Sequence, residues 1–341
     1  MTVEAIIAGR AARQRRRAIV SIGLSVAVFA AYALMLMIGN TFYGPGTVIR
    51  VILGHEVRGA SFTVGDLRLP RASLGLLAGF CFGVAGVTFQ TMLRNPLASP
   101  DIIGISWGAS AAAVVGIITF ELNETQVSIV ALGGALVTAA LMYALSHRGG
   151  FAGARLVLIG VGMAAMLQSV VSYVLSRAAA WDLQAAMQWL AGSLNGATWG
   201  RVVPLAVVTV LFLTGLVVRG RDLSVLRLGD DSAAGLGLHV HRSRIFLMFA
   251  AVVLLAFATA SAGPIAFVAF MAGPIAARLV GPGASLLIPA GLVGALLVLT
   301  ADLLGQNAFE HRYPVGVITG ALGAPYLLTL LVRINRSGGS L

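Results

Sequence analysis

The residues that could carry acid–base, nucleophilic or metal chemistry are few in this 341-residue chain, and nearly all of them lie in polar segments. Of the 12 acidic residues, only Asp302 falls within an apolar segment, close to the end of that segment. The five His residues all lie in polar loops, and His239 and His241 form an isolated pair without further ligands in their spacing. Cys81 is the single cysteine, which excludes an intrachain disulfide and a Cys-based metal cluster. The sequence therefore predicts no catalytic residue, no metal site and no proton relay at membrane depth.

The basic residues exclude a further class of chemistry, because all 23 of them are Arg and the chain contains no Lys. A Walker A loop needs its Lys on the β/γ-phosphates, and a Schiff base also needs a Lys amine. We therefore expect that this chain has no ATP site of its own and that it is not an enzyme.

The composition indicates that the chain consists mainly of apolar, membrane-crossing segments. Hydrophobic residues make up 58% of the chain, charged residues only 10%, and the mean hydropathy is +0.94. These values exclude a soluble enzyme, a disordered protein and a nucleic-acid-binding protein as first interpretations. About ten segments are long and apolar enough to cross a bilayer core of about 30 Å. They cover about 18–38, 72–93, 102–120, 127–146, 156–176, 202–219, 245–262, 264–280, 284–305 and 314–332.

The predicted fold class is thus an all-α polytopic membrane protein, a bundle of about ten transmembrane helices. Most Arg residues flank one side of these crossings, which places both termini in the cytoplasm by the positive-inside rule. The net charge of +11 is then mainly topological and needs no nucleic-acid partner. The chain divides into a cytoplasmic Arg-rich N-terminus at 1–17, a single transmembrane domain at 18–333 and a cytoplasmic tail at 334–341.

Two features of the segments predict how they pack and where they are joined. Gly75, Gly79, Gly83 and Gly86 recur along the second segment, and small residues at such spacing let helix backbones approach closely in lipid. Polar loops at 40–67 and 178–200 are expected outside, and a charged loop at about 220–243 is expected inside.

An ordered set of motifs between about residues 66 and 333 resembles the iron-siderophore and vitamin B12 permease family of ABC importers, the FecCD-type permeases. The motifs that carry the resemblance are Arg68-Leu69-Pro70-Arg71, Gln90, Arg94–Asp101 with Gly104–Ser106, Leu226–Gly237, Gly263–Phe267, Ala277–Leu279, Ala301–Leu304 and Pro314–Pro325. The family fold that this resemblance implies agrees with the bundle of about ten crossings expected from the apolar segments.

The resemblance also implies a role for individual residues. An external binding protein would dock on Arg68 and Arg71, and on Arg312 because Gln306 stands where some relatives have a third docking Arg. The alternative for the Arg pair is interfacial anchoring. The alternatives for the other predicted groups are an ordinary charged inner loop for the coupling helix, helix capping and turn formation for the gate, and packing for the pathway. A short coupling helix would contact the ATPase through Leu226, Leu228, Gly229, Asp230, Asp231, Ala233, Ala234, Leu236 and Gly237. A cytoplasmic gate would contain Asn95, Leu97, Gly153 and Ala154, and the pathway would be lined by Met163, Met166, Gln168, Ser169, Ser172 and Tyr173.

The function implied by the resemblance is translocation of a ferric siderophore across the bacterial cytoplasmic (inner) membrane. The run Met271–Pro274 and the pair Gln306-Asn307 look more like permeases for catecholate siderophores than like those for vitamin B12 or haem. The implied partners are a second permease chain, two ATPase subunits that bind ATP and Mg²⁺, and a periplasmic or lipid-anchored siderophore-binding protein. The open alternatives are a vitamin B12 or haem permease and, from a different class, an ion-coupled secondary transporter.

Overall fold

The computed structural model describes residues 3–100, 104–146, 153–281 and 285–336, and within these ranges all regular structure is helical. One π-helix, Ser61–Arg68, continues directly into α3. The α-helices are α1 (Val3–Met37), α2 (Pro45–Ile52), α3 (Leu69–Met92), α4 (Ile105–Phe120), α5 (Glu124–Ser146), α6 (Gly153–Ser176), α7 (Ala180–Leu190), α8 (Trp199–Val218), α9 (Gly220–Leu226), α10 (Asp230–Gly235), α11 (Val240–Ala262), α12 (Val268–Val280), α13 (Leu287–Asn307) and α14 (Val315–Arg336).

The predicted fold class is confirmed. Among the described residues, eight helices are long and apolar enough to cross a membrane, and they occupy eight of the predicted crossings. The other two predicted crossings coincide with α4 and α12, which are apolar but only about 24 Å and about 20 Å long at 1.5 Å per residue. The first helix differs from the prediction, because it begins at Val3 and carries the Arg-rich segment in one continuous α1. Ala, Arg and Gln are strong helix formers, so nothing in this polar segment ends the helix.

The core of the bundle is formed by α3, α11 and α13, which are largely buried, with α12 packed beside them. The predicted close approach of helices at the glycines of α3 is confirmed. A Cβ at Gly79 would lie 2.5 Å from the carbonyl oxygen of Gly294 and 2.8 Å from the Cα of Ala295, both on α13. A Cβ at Gly83 would overlap the carbonyl oxygen of Ala290. The backbones of α3 and α13 are thus in direct contact, as is typical of small-residue packing in membranes.

Short helices occupy the three loops that the sequence marks as long. The helix α2 lies in the 40–67 loop and α7 in the 178–200 loop. The loop at 220–243 holds two helices, α9 and α10, separated at Arg227–Gly229. The single coupling helix expected over Leu226–Gly237 is therefore wrong in its bounds. Between Leu226 and Val240 only α10 is helical, because Gly229 takes φ = 106°, a conformation outside a right-handed helix that separates α9 from α10.

Candidate transport sites at the two ends of the bundle

The predicted docking and coupling residues, together with Asn95 and Leu97 of the predicted gate, fall at opposite ends of α3, which is about 36 Å long. Arg71 lies in its first turn, and Arg94 and Asn95 follow its last residue. We call these two regions the Arg71 end and the Arg94 end. The 191–198 loop and the end of α13 meet α3 at the first of them, and α10 meets it at the second.

At the Arg71 end, Arg71 forms a bidentate ion pair with Asp302. Its Nε donates to Oδ2 and its Nη2 to Oδ1 of Asp302, both at 2.7 Å. Its Nη1 donates to Oδ1 of Asn195, also at 2.7 Å. The side chain of Asp302 is 2% exposed and that of Arg71 is 22% exposed. Arg71 thus joins α3, α13 and the 191–198 loop, and the fork geometry fixes the direction of its guanidinium.

The other two Arg residues predicted for docking lie in the same cleft. Nη1 and Nη2 of Arg68 donate to the backbone carbonyls of Leu36 (2.9 Å) and Thr41 (2.7 Å), and its guanidinium lies 5.1 Å from the ring centre of Tyr43. Nη2 of Arg312 donates to Oδ1 of Asn40. The cleft has a volume of about 350 Å³, and its walls include Arg68, Arg71, Asp302, Gln306 and Arg312. Each guanidinium has five N–H donors, so all three retain N–H groups beyond these bonds.

At the Arg94 end, the predicted gate residues form a tight turn after α3. The backbone N–H of Leu97 donates to Oδ1 of Asn95 at 2.8 Å, and the backbone N–H of Asn95 donates to the carbonyl of Gln90 at 3.1 Å. Gln90 is buried, and its Nε2 donates to the carbonyls of Pro96 and Phe270, both at 3.0 Å. This amide ties the turn to α12. Gly153 and Ala154 begin α6, but the burial of these two residues lies outside what the structure describes.

The predicted coupling segment lies beside this turn. Oδ1 of Asp230, in the first turn of α10, accepts bonds from Nη2 of Arg244 at 2.8 Å and from Nη2 of Arg94 at 3.3 Å. Two residues expected to be available for contact with an ATPase are not, because Leu226 and Ala233 are fully buried against the bundle. Their burial holds the segment in place. The remaining predicted positions Leu228, Asp231, Ala234, Leu236 and Gly237 are exposed, and Gly229 and Asp230 are half-buried.

The predicted pathway residues lie on α6, which is the least buried of the eight long helices. Met163 is half-buried against the core, whereas Met166, Gln168, Ser169, Ser172 and Tyr173 are exposed. The hydroxyl of Ser169 donates to the carbonyl of Ala165, and Arg177 lies over the ring of Tyr173. Within the described residues, this part of α6 thus presents polar side chains that no other helix covers.

Sequence reasoning did not assign roles to Asp302, Asn195, Gln90 and Arg244, although each binds a residue of a predicted site. One of the four had a signal, since Asp302 is the only acidic residue inside a predicted crossing. The other contacts could not be found from local sequence patterns, since the partners are far apart along the chain; Asn195, for example, lies 124 residues from Arg71. Within the described residues, no three His, Cys, Asp or Glu side chains are grouped closely enough to hold a metal ion.

Comparison with known proteins decides the family. A family model described as the FecCD transport family matches residues 26–333. The chain belongs to the FecCD transport family. This FecCD chain is 41% identical over 290 residues to the ferric enterobactin transport system permease protein FepG of Escherichia coli (strain K12), covering 85% of this chain and 88% of FepG. It is 38% identical over 310 residues to the achromobactin transport system permease protein CbrC of Dickeya dadantii (strain 3937), covering 90% and 89% of the two chains.

The fold of the FecCD chain is also similar to that of a solved structure, an inward-facing conformation of a metal-chelate type ABC transporter. The TM-score is 0.82, the sequence identity is 24%, and the match covers 92% of this chain and 98% of the other. The resemblance inferred from the motifs is therefore confirmed, and this FecCD chain is a multi-pass membrane protein with the fold of an ABC transporter permease.

Proposed function

We propose that this FecCD chain is the permease subunit of an ABC importer that moves a ferric siderophore across the bacterial cytoplasmic (inner) membrane. The observation that carries the proposal is the family match over 26–333 together with relatives whose names specify ferric enterobactin and achromobactin transport. The acidic residues of the chain agree with a permease that does not couple transport to an ion gradient by itself. Asp302 is the only acid in a predicted crossing, and its ion pair with Arg71 leaves no free carboxylate there for ion coupling.

The energy source in this proposal is a pair of separate ATPase subunits, which would bind ATP and Mg²⁺. The absence of Lys from the chain supports this division of labour, because a P-loop needs that residue. The ATPases would contact α10 and the segment around it, where Leu228 and Leu236 expose large apolar side chains beside the acidic first turn of the helix. Rigid-body movement of this segment would accompany the change between inward and outward access.

A second permease chain, related or identical, would cover the polar face of α6. Gln168 and Ser172 are exposed in the second half of α6, inside a span that is long enough to cross the bilayer. Polar side chains at that depth are expected to face protein or a water-filled cavity rather than lipid. The translocation pathway would therefore lie between the two chains, along Met163, Met166, Gln168, Ser169, Ser172 and Tyr173.

An external binding protein, periplasmic or lipid-anchored, would deliver the siderophore at the Arg71 end. Its acidic side chains would bind the N–H groups of Arg68, Arg71 and Arg312 that remain free in the cleft. Charge reversal at Arg68 and Arg71 should weaken docking, but both also hold the fold through internal bonds. Arg312→Glu is a cleaner test because its side chain is exposed and binds the exposed side chain of Asn40 rather than a buried acid or backbone carbonyls. Arg50→Glu, on the largely exposed α2 of the same end, is its matched control. Equal affinity of the two variants for the binding protein would refute the assignment of Arg312.

The proposal as a whole is tested by reconstitution of the chain with its partner permease, ATPase and binding protein in proteoliposomes. We expect ATP-dependent uptake of ⁵⁵Fe-labelled ferric enterobactin, used as a catecholate probe, and no uptake without the ATPase. Uptake of cyanocobalamin or haem in its place would favour the other members of the family. Uptake by the permease chains alone, driven by an ion gradient, would refute the proposal in favour of a secondary transporter.

A further inference from the structure

Asp230 connects three separate parts of the chain at the Arg94 end. One carboxylate oxygen of Asp230 binds Arg94, which follows α3, and Arg244, which lies in the first turns of α11. The two Arg residues differ in their surroundings, because Arg244 is 8% exposed and Arg94 is 50% exposed. Arg244 therefore anchors Asp230 to the core, whereas Arg94 reaches it from a loop at the surface.

Arg94 is directly bonded to the turn that contains Asn95 and Leu97. That turn is stiffened internally by the Asn95 side chain and externally by Gln90, which holds the carbonyls of Pro96 and Phe270. A displacement of Arg94 would thus move the whole turn rather than one side chain.

The backbone of Arg94 ends α3 in a common way. Its φ is +52°, the left-handed conformation of a Schellman motif, because the N–H of Arg94 donates to the carbonyl of Thr91 at 3.3 Å and the N–H of Asn95 donates to the carbonyl of Gln90 at 3.1 Å. Ending the helix in this way does not require the side chain of Arg94 to reach α10. The ion pair with Asp230 is therefore the observation that marks this position.

We infer that Arg94 is a positioning residue that transmits movement of α10 to the turn at Asn95–Leu97. The inference rests on the proposed function, in which ATPase subunits move α10. Asp230 receives that movement in the first turn of the helix, and its bond to Arg94 carries the movement to the turn. Because the ion pair is half exposed, we expect it to shift the equilibrium between the two positions of the turn by about fivefold, which corresponds to ~1 kcal/mol.

The competing explanation is an ordinary surface ion pair that only helps α10 to fold. Arg219 provides a matched control for it. Arg219 is 53% exposed and donates to Asp222 at 3.0 Å, close to α10 in the sequence, but its partner is bonded to Ser243 and not to the turn. Arg94→Gln and Arg219→Gln therefore remove the same charge and one similar ion pair each.

The test uses the assembled complex of permease chains, ATPases and binding protein in nanodiscs. A Leu97→Cys substitution introduces a thiol into the turn, and the native Cys81 does not interfere because it is fully buried. The rate of maleimide labelling is measured without nucleotide and after trapping with ATP and vanadate. The ratio of the two rates reports how far nucleotide moves the turn.

We expect Arg94→Gln to change this ratio of labelling rates about fivefold, in the direction of one, while the ATPases still co-purify. Arg219→Gln should leave the ratio unchanged. Asp230→Asn should bring the ratio at least as close to one as Arg94→Gln does, because it also removes the ion pair with Arg244, and adding Arg94→Gln to Asp230→Asn should change nothing further. Equal ratios for Arg94→Gln and the unmodified complex, or a ratio of one in the unmodified complex, would overturn the inference. Failure of the unmodified chain to bind ATPases would instead overturn the proposed function and the inference with it.

Discussion

The contact between α3 and α13 predicts a large effect of adding one methyl group at Gly79. A Cβ there would lie 2.5 Å from the carbonyl oxygen of Gly294, whereas ordinary contacts of this kind begin at 3.4 Å. The obstacle is backbone on a buried helix, so no side-chain rotation can relieve it. The helices would have to separate by about 0.9 Å, which forfeits a quarter to a half of the attraction between each pair of contacting atoms. In lipid, that attraction is the main force that holds helices together.

We expect Gly79→Ala to lower the free energy of unfolding by about 3 kcal/mol, the upper part of the range for overpacked cores. Gly133→Ala on α5 is the matched control, because a Cβ there meets no atom within 4 Å. The higher helix propensity of Ala should leave the control unchanged or stabilise it by up to ~1 kcal/mol. Both variants are unfolded with SDS in mixed micelles and followed by circular dichroism. Equal stabilities for the two variants would show that α3 and α13 do not pack through Gly79.

Two further predictions follow from the two ends of the bundle. Asp302→Asn should destabilise the fold by about 2 kcal/mol, less than the ~3–5 kcal/mol typical of a fully buried pair because Arg71 is 22% exposed. The measurement is again SDS unfolding, and an unchanged midpoint would contradict the role given to this pair. Leu228→Ser together with Leu236→Ser should reduce co-purification of the ATPase by roughly tenfold while leaving the unfolding midpoint unchanged, since both side chains are exposed. Full retention of the ATPase would remove these two residues from the proposed contact.

Much of the fold could be predicted from the sequence because a bilayer imposes strong constraints on it. A crossing needs about 20 apolar residues with internally satisfied backbone groups, so the hydropathy pattern alone indicates helices and their approximate bounds. The boundary between the predicted crossings at 245–262 and 264–280 is an example, since α11 ends at Ala262 and Gly263 directly after it has φ = 72°. The close packing at Gly79 followed from residue size, because small residues allow backbones to touch.

The sites were less predictable, because their bonds join residues far apart in the sequence. Arg71 was recognised from its motif, but its partner Asp302 lies 231 residues away. Leu226 and Ala233 have the same apolar character as Leu228 and Leu236, and only the packing of the coupling segment on the bundle decides which pair is buried.

The sequence by itself thus determined the class of protein, eight of the crossings, the lack of a Lys for a P-loop and, through its motifs, the family. These properties depend on residue type, order and local spacing. The tertiary structure decided which charges are paired, which apolar side chains remain exposed, and which side chains hold the turn after α3. Such properties depend on the three-dimensional arrangement of helices, because a guanidinium can bind any carboxylate that the fold brings within reach.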